Sequence, residues 1–162
     1  DFVNASGLPP HSIEIVAYGG LDDEIAKAIF RRKAAGIQTF GNTTTAVISA
    51  SGKPYDINFS RPAPVNVWVR VFNLVTDQHF PLDGIEQIKR KLIAYIGGEN
   101  YAGLNIGQSV IRVALPAEVL KVPGVVDFDL QISSTGEDFD WRNVEIAARQ
   151  KAVTDESMVS VS

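Results

Sequence analysis

The sequence predicts an α+β protein made of two small β-α-β-β-like modules, each with a mixed or antiparallel sheet packed by one helix. Three observations carry this expectation. Two stretches, Ile25 to Phe30 and Ile85 to Ile96, repeat apolar residues at the three- and four-residue spacing of a helix with one buried face. Short β-rich runs flank both stretches, and Gly or Pro marks nearly every junction between them. Residues 1–60 form the first module and 65–162 the second, joined by Arg61-Pro62-Ala63-Pro64. Two prolines at that spacing favour a stiff, extended linker and are excluded from a central strand.

Ser12 to Tyr18 is β-rich and bounded by Pro9-Pro10 and Gly19-Gly20, which predicts one strand. A helix follows, with Ile25, Ala26, Ala28, Ile29 and Phe30 on its apolar side and Gly36 as its stop. Its first turn carries Asp22, Asp23 and Glu24, and its end carries Lys27, Arg31, Arg32 and Lys33, the distribution that the helix dipole favours. Thr43 to Ser49 and Tyr55 to Phe59, separated by Ser51-Gly52-Lys53-Pro54, read as a hairpin. In the second module Val65, Val67, Val69 and Val71 alternate with Asn66, Trp68, Arg70 and Phe72, a period of two that puts four valines on one strand face. Asp83-Gly84-Ile85-Glu86 has the form of a capping box. The helix it opens turns Ile85, Ile88, Leu92, Ile93 and Ile96 inward and ends at Gly97-Gly98. Beyond a loop rich in Gly and Asn, Val110 to Leu115 reads as a short helix, Gly124 to Ile132 as a strand, SSTGEDFD at 133–140 as a solvated acidic loop, and Met158 to Val161 as an edge strand.

Composition narrows the function classes. At 162 residues and 45% hydrophobic the chain has material for a real core, so an ordered fold is expected. A net charge of -4 gives no overall footprint for nucleic acid or an anionic membrane. The absence of cysteine excludes disulfides, thiolate metal sites and thiol nucleophiles. No apolar run approaches the roughly 18 residues of a membrane span. The chain opens on Asp1 rather than Met and reads as a fragment or a processed product.

Candidate chemistry is sparse. Asp22, Asp23 and Glu24 are the residues a small metal-dependent hydrolase would use, with His79, but adjacent helical residues point about 100 degrees apart and do not converge on one ion. The helix-start reading explains them better. His11 reads as a turn residue, and Asp77 with His79 is the one pair worth naming for general-base work, without a nucleophile in a strained elbow beside it. Ser51-Gly52-Lys53-Pro54 lacks the spacing of a phosphate loop, and Gly97 to Gly107 lacks the order of a dinucleotide fingerprint. Trp68, Tyr101 and Trp141 are the aromatics a carbohydrate- or host-surface-binding module would use. Trp68, Arg70 and Phe72 share one strand face and form either a core against the second helix or a protein interface. No catalytic, metal or cofactor residues are expected.

The order of segments resembles the baseplate J-like family of contractile phage tails and related injection particles. The residues that carry the resemblance are Pro9-Pro10-His11-Ser12, Gly19-Gly20, Ala35-Gly36, Gly41-Asn42-Thr43 and Phe59-Ser60-Arg61-Pro62, leading into VNVWVRV. The match spans roughly residues 6 to 72, and Gly107 and Pro123-Gly124-Val125 also look like the family's C-terminal part. The resemblance implies the C-terminal portion of a non-catalytic wedge subunit of the virion tail baseplate, assembled in the bacterial host cytoplasm. It implies contacts with other wedge and hub proteins, with the tail sheath and with further copies of itself in a ring.

Overall fold

The structure, a computed structural model, describes residues 8–162. The described residues form an α+β fold with three α-helices and nine strands, as expected. The chain divides into two compact units, Asp1–Pro62 and Ala63–Ser162.

The first unit runs β1 (Ser12–Glu14), α1 (Asp22–Arg32), β2 (Gln38–Phe40), β3 (Thr43–Ile48) and β4 (Pro54–Phe59). Strands β3 and β4 form the expected hairpin, in antiparallel register from Thr43 opposite Phe59 to Ile48 opposite Pro54. The expected strand over 12–18 is shorter, because its two halves have different partners. Ser12–Glu14 pairs in parallel with β2, a strand the sequence reading did not contain. Val16 instead makes an isolated bridge to Ser60. Helix α1 is thus the crossover of a β-α-β unit. Its Ala26 and Ile29, three residues apart, close a small core with Val47, Ile57 and Phe59. The helix stops at Arg32 rather than at Gly36. Lys33 is already extended, at ψ 143°, and its ammonium donates to the Ile37 carbonyl at 3.0 Å. No backbone ladder joins β2 to β4, but side chains do so. The Asn58 N–H donates to Thr39 Oγ1 at 2.8 Å, and Asn58 Nδ2 donates to the Thr39 carbonyl at 3.0 Å.

The second unit runs β5 (Ala63–Asn66), β6 (Trp68–Thr76), α2 (Gly84–Ile96), a 3-10 turn at Arg112–Ala114, α3 (Leu115–Val119), β7 (Val125–Ser133), β8 (Gln150–Val153) and β9 (Val159–Val161). Strand β6 is central, antiparallel to β7 and parallel to β9. The single strand expected from Val65 to Phe72 is divided at Val67 between β5 and β6, and Val67, with Val69 and Val71 of β6, is buried in a core shared with Ile88, Leu92 and Ile96 of α2. Ile85, expected inward, is 41% exposed.

Two local expectations are corrected. The boundary between the units falls within Arg61–Pro64, but its second half is strand rather than connector, since Ala63 and Pro64 lie in β5, with Pro64 opposite Lys151 of β8. The Ala63 and Val67 amides donate to Arg149 and Val153 carbonyls at 3.0 and 2.9 Å, so Pro64 stands where the parallel ladder asks no donor of it. The capping box at Asp83 does not form either. Asp83 has φ −98° and ψ 20° rather than the extended backbone of a cap, and its side chain caps no amide. Its carboxylate instead accepts from Gln87 Nε2 at 2.9 Å and from Arg90 at 3.3 Å.

After α2 the chain doubles back so closely that a Cβ at Gly103 would meet the Gly97 backbone at 2.3 Å, a crossing open only to glycine. Lys151, 2% exposed, anchors this loop by donating from Nζ to the Ala102 carbonyl at 2.7 Å and to the Leu104 carbonyl at 2.5 Å. Burial lowers the Lys151 pKa from the usual lysine value of 10.5. The unfolded chain therefore binds the more protons between the folded value and 10.5, so this residue's contribution to stability increases as pH rises through that window.

Lys151→Met, which orphans two carbonyls, is expected to lower unfolding free energy by about 2 kcal/mol near neutral pH in urea titrations. It should also flatten the alkaline limb of the stability profile, and an unchanged limb would contradict the assignment. Thr154, 3% exposed, carries a buried hydroxyl with no hydrogen-bond partner among the described residues. Thr154→Val is therefore expected to raise stability by about 1 kcal/mol, read as a higher melting temperature.

Candidate functional site

Alternation along β6 fixes what faces outward. With the valines packed on α2, Trp68, Arg70 and Phe72 lie on the opposite face of the sheet. They face away from the second helix, so the reading of these three as a core against α2 is corrected. Arg70 is the centre of this face. It stands opposite Gln131 of β7 and donates to Gln131 Oε1 at 2.6 Å. Its guanidinium carbon lies 5.5 Å from the Phe72 ring centroid and 4.5 Å from that of Phe139.

Phe139 belongs to the acidic segment read from sequence as a solvated loop. The segment is instead a strap held down at both ends. Ser133 Oγ accepts the Thr135 and Gly136 amides, both at 3.0 Å, and Asp140 exchanges backbone bonds with Ile132 at 3.2 and 3.1 Å. Gly136 lies against Trp68, where an added Cβ would come within 3.0 Å of the indole. Glu137 and Asp138 remain exposed. The result is a fixed surface of Trp, Arg and Phe side chains, the residue types that anchor protein interfaces.

The other sequence-derived candidates have different neighbours. Asp22 pairs with Arg61 at 2.6 Å and Asp23 with Lys27 at 3.8 Å, and both acids and Glu24 are exposed. Among the described residues, no three His, Asp or Glu side chains come together to hold a metal ion. His79 belongs to the second unit, in the turn after β6, where Asp77 Oδ1 accepts its backbone N–H at 2.8 Å and lies 3.2 Å from Nδ1. Those bonds, the backbone one foremost, hold the Asp77 carboxyl below its usual pKa. This is an Asx-type turn. Trp68, Tyr101 and Trp141 each sit in different company: Trp68 beside the strap, Tyr101 in a backbone bridge to Gly98, and Trp141 with the Arg112 guanidinium carbon 5.1 Å from its ring centroid.

No known protein family matches the chain, and no curated protein does. Among the described residues no helix is long and apolar enough to cross a membrane. Sequence reasoning missed Phe139 and Gly136 as parts of the outer face. Their only signal was one aromatic in an otherwise polar, turn-rich segment.

Arg70→Met removes the bond to Gln131 and both guanidinium–ring contacts, so it is expected to cost about 1 kcal/mol. Amide hydrogen exchange over residues 134–139 should speed up selectively. Unchanged exchange there would show that Arg70 does not hold the strap.

Proposed function

We propose that the chain is a structural, non-catalytic subunit of a contractile-tail baseplate, part of a wedge that contacts hub, sheath and neighbouring wedge proteins. One observation supports this reading above the others: residues that carry the resemblance are joined by a single side chain into a frame rather than gathered around a cavity. The Arg61 guanidinium donates to the carbonyls of Ala17 at 3.2 Å, Gly19 at 2.6 Å and Gly20 at 2.8 Å, and to Asp22 Oδ1 at 2.6 Å. It therefore ties the end of β4 to the strand-to-helix turn.

That turn depends on Gly19 and Gly20, both left-handed at φ 69° and 71°, a conformation that residues with a Cβ adopt rarely. At the other end of the unit, His11, itself at φ 55°, gives its carbonyl to the Gln38 amide at 3.0 Å, and Ser12 Oγ donates to the Pro9 carbonyl at 2.6 Å. The Pro9–Ser12 and Gly19-Gly20 pieces thus hold a short β-α-β unit in shape. A rigid unit of this kind suits a part whose work is to keep its neighbours in register. The outer face of β6, with Trp68, Arg70 and Phe72, is the surface we assign to contact with a neighbouring baseplate protein. The place of action is the virion tail baseplate.

Arg61→Lys keeps the charge but not the fork that reaches several carbonyls. It is expected to lower stability by about 1 to 2 kcal/mol and to reduce recovery of the chain in particles. Affinity pull-down from cells making the parent particle should recover neighbouring tail proteins with the native chain, and less of them with Trp68→Ala. Recovery of no tail protein would overturn the reading.

A further inference from the structure

A second feature of the larger unit stands apart from the β6 face. Beyond the strap, the chain from Asp138 to Glu145 borders an open hollow of about 400 Å³, within the range of small-molecule sites. The frame is fixed by two backbone bridges, Ile132 to Asp140 and Val110 to Val144. A second open hollow beside it is lined by Trp141, which is 53% exposed, and shares Asp140, Arg142, Asn143 and Glu145 with the first.

The polar groups of the first hollow are held by one atom and open at another. Asn143 Oδ1 accepts the Arg112 amide at 3.0 Å, which leaves the side-chain NH2 as a donor. Glu145 Oε2 accepts from Ser109 Oγ at 2.8 Å, which leaves Oε1 as an acceptor. Gln150 Oε1 accepts the Ala147 amide at 3.0 Å and likewise leaves its NH2. The Asp138 carboxylate has no bond among the described residues, whereas that of Asp140 is engaged by Arg142 at 2.6 and 2.8 Å. Fixed donors and acceptors beside an open indole suit a ligand with many hydroxyls and an apolar ring face. Each hydroxyl both gives and takes a hydrogen bond, and the indole offers a flat apolar platform. Asp138, Asp140 and Glu145 outnumber Arg142 and the Arg112 guanidinium beside Trp141, so the local charge is negative, which disfavours acidic sugars.

We propose that these two adjoining hollows together bind a neutral glycan, with Trp141 of one as the platform for a sugar ring, and Asp138 of the other and the shared Asn143 and Glu145 bonding its hydroxyls. The site is separate from the β6 face and does not rest on the baseplate reading. The polar atoms are already positioned, so binding orders few side chains.

The test uses the full chain on an array of immobilised neutral and acidic oligosaccharides, followed by calorimetry with the strongest soluble neutral one. Neutral glycans are expected to bind in preference to sialylated or uronic-acid ones. Trp141→Ala and Asp138→Ala should each weaken that binding by about tenfold. Because the Asp138 side chain bonds nothing among the described residues, its variant should keep the native melting temperature even if removal of the Trp141–Arg112 contact loosens the structure. No neutral glycan bound at any soluble concentration, preference for acidic glycans, or binding indifferent to Asp138→Ala would each overturn the proposal.

Discussion

The larger unit depends on the two-residue period of β6. Val67, Val69 and Val71 are fully buried against α2, and this commits Trp68, Arg70 and Phe72 to the other side. A slip of one residue would send the arginine and two aromatics into the apolar core, so the register is strongly specified. Everything on the outer face follows from that choice. Arg70 reaches Gln131 because β7 lies beside it in register, and Phe139 finds the Arg70 guanidinium because the strap returns to pair with Ile132. The same return aligns Asp140 to Glu145 along the polar hollow. One pattern of apolar alternation thus sets the core, the proposed contact surface and the edge on which the proposed glycan site stands.

In the smaller unit the corresponding constraint is geometric. The chain between β1 and α1 must turn into the helix just before Asp22, and Gly19 and Gly20 allow it by taking left-handed backbone. Carbonyls exposed by that turn need donors, which the Arg61 fork supplies. The acids at the start of α1 act in the same local balance, Asp22 through Arg61 and Asp23 through Lys27. Their arrangement suits shape rather than the gathering of an ion.

The parts of the fold that the sequence disclosed are those whose apolar residues recur at a fixed period. Helices α1 and α2, the β3–β4 hairpin, β6 and β7 all carry such a signal because one face of each is buried. Strand β2 has only three residues, of which Thr39 alone is buried, and its parallel pairing with β1 spans a whole helix. Strand β8 was hidden by Lys151, a charge whose burial is offset by two carbonyls more than forty residues away in sequence. Strand β5 was read partly as the start of β6, at Val65 and Asn66, and partly as linker, at Ala63 and Pro64, although an edge tolerates the proline. Of the outer face, Trp68, Arg70 and Phe72 were legible from alternation, whereas Phe139 joins them only through tertiary folding. Arg61 looked like part of a connector because the carbonyls it serves lie about forty residues earlier.

The central claim, that this chain acts by holding neighbours in place, is most directly tested by electron cryomicroscopy of the contractile particle from cells that carry its gene. The account predicts density in the ring around the central hub into which each unit fits separately, with Trp68, Arg70 and Phe72 buried against an adjacent protein. A well-resolved baseplate with no density for either unit, or with the β6 face open to solvent in every copy, would contradict it.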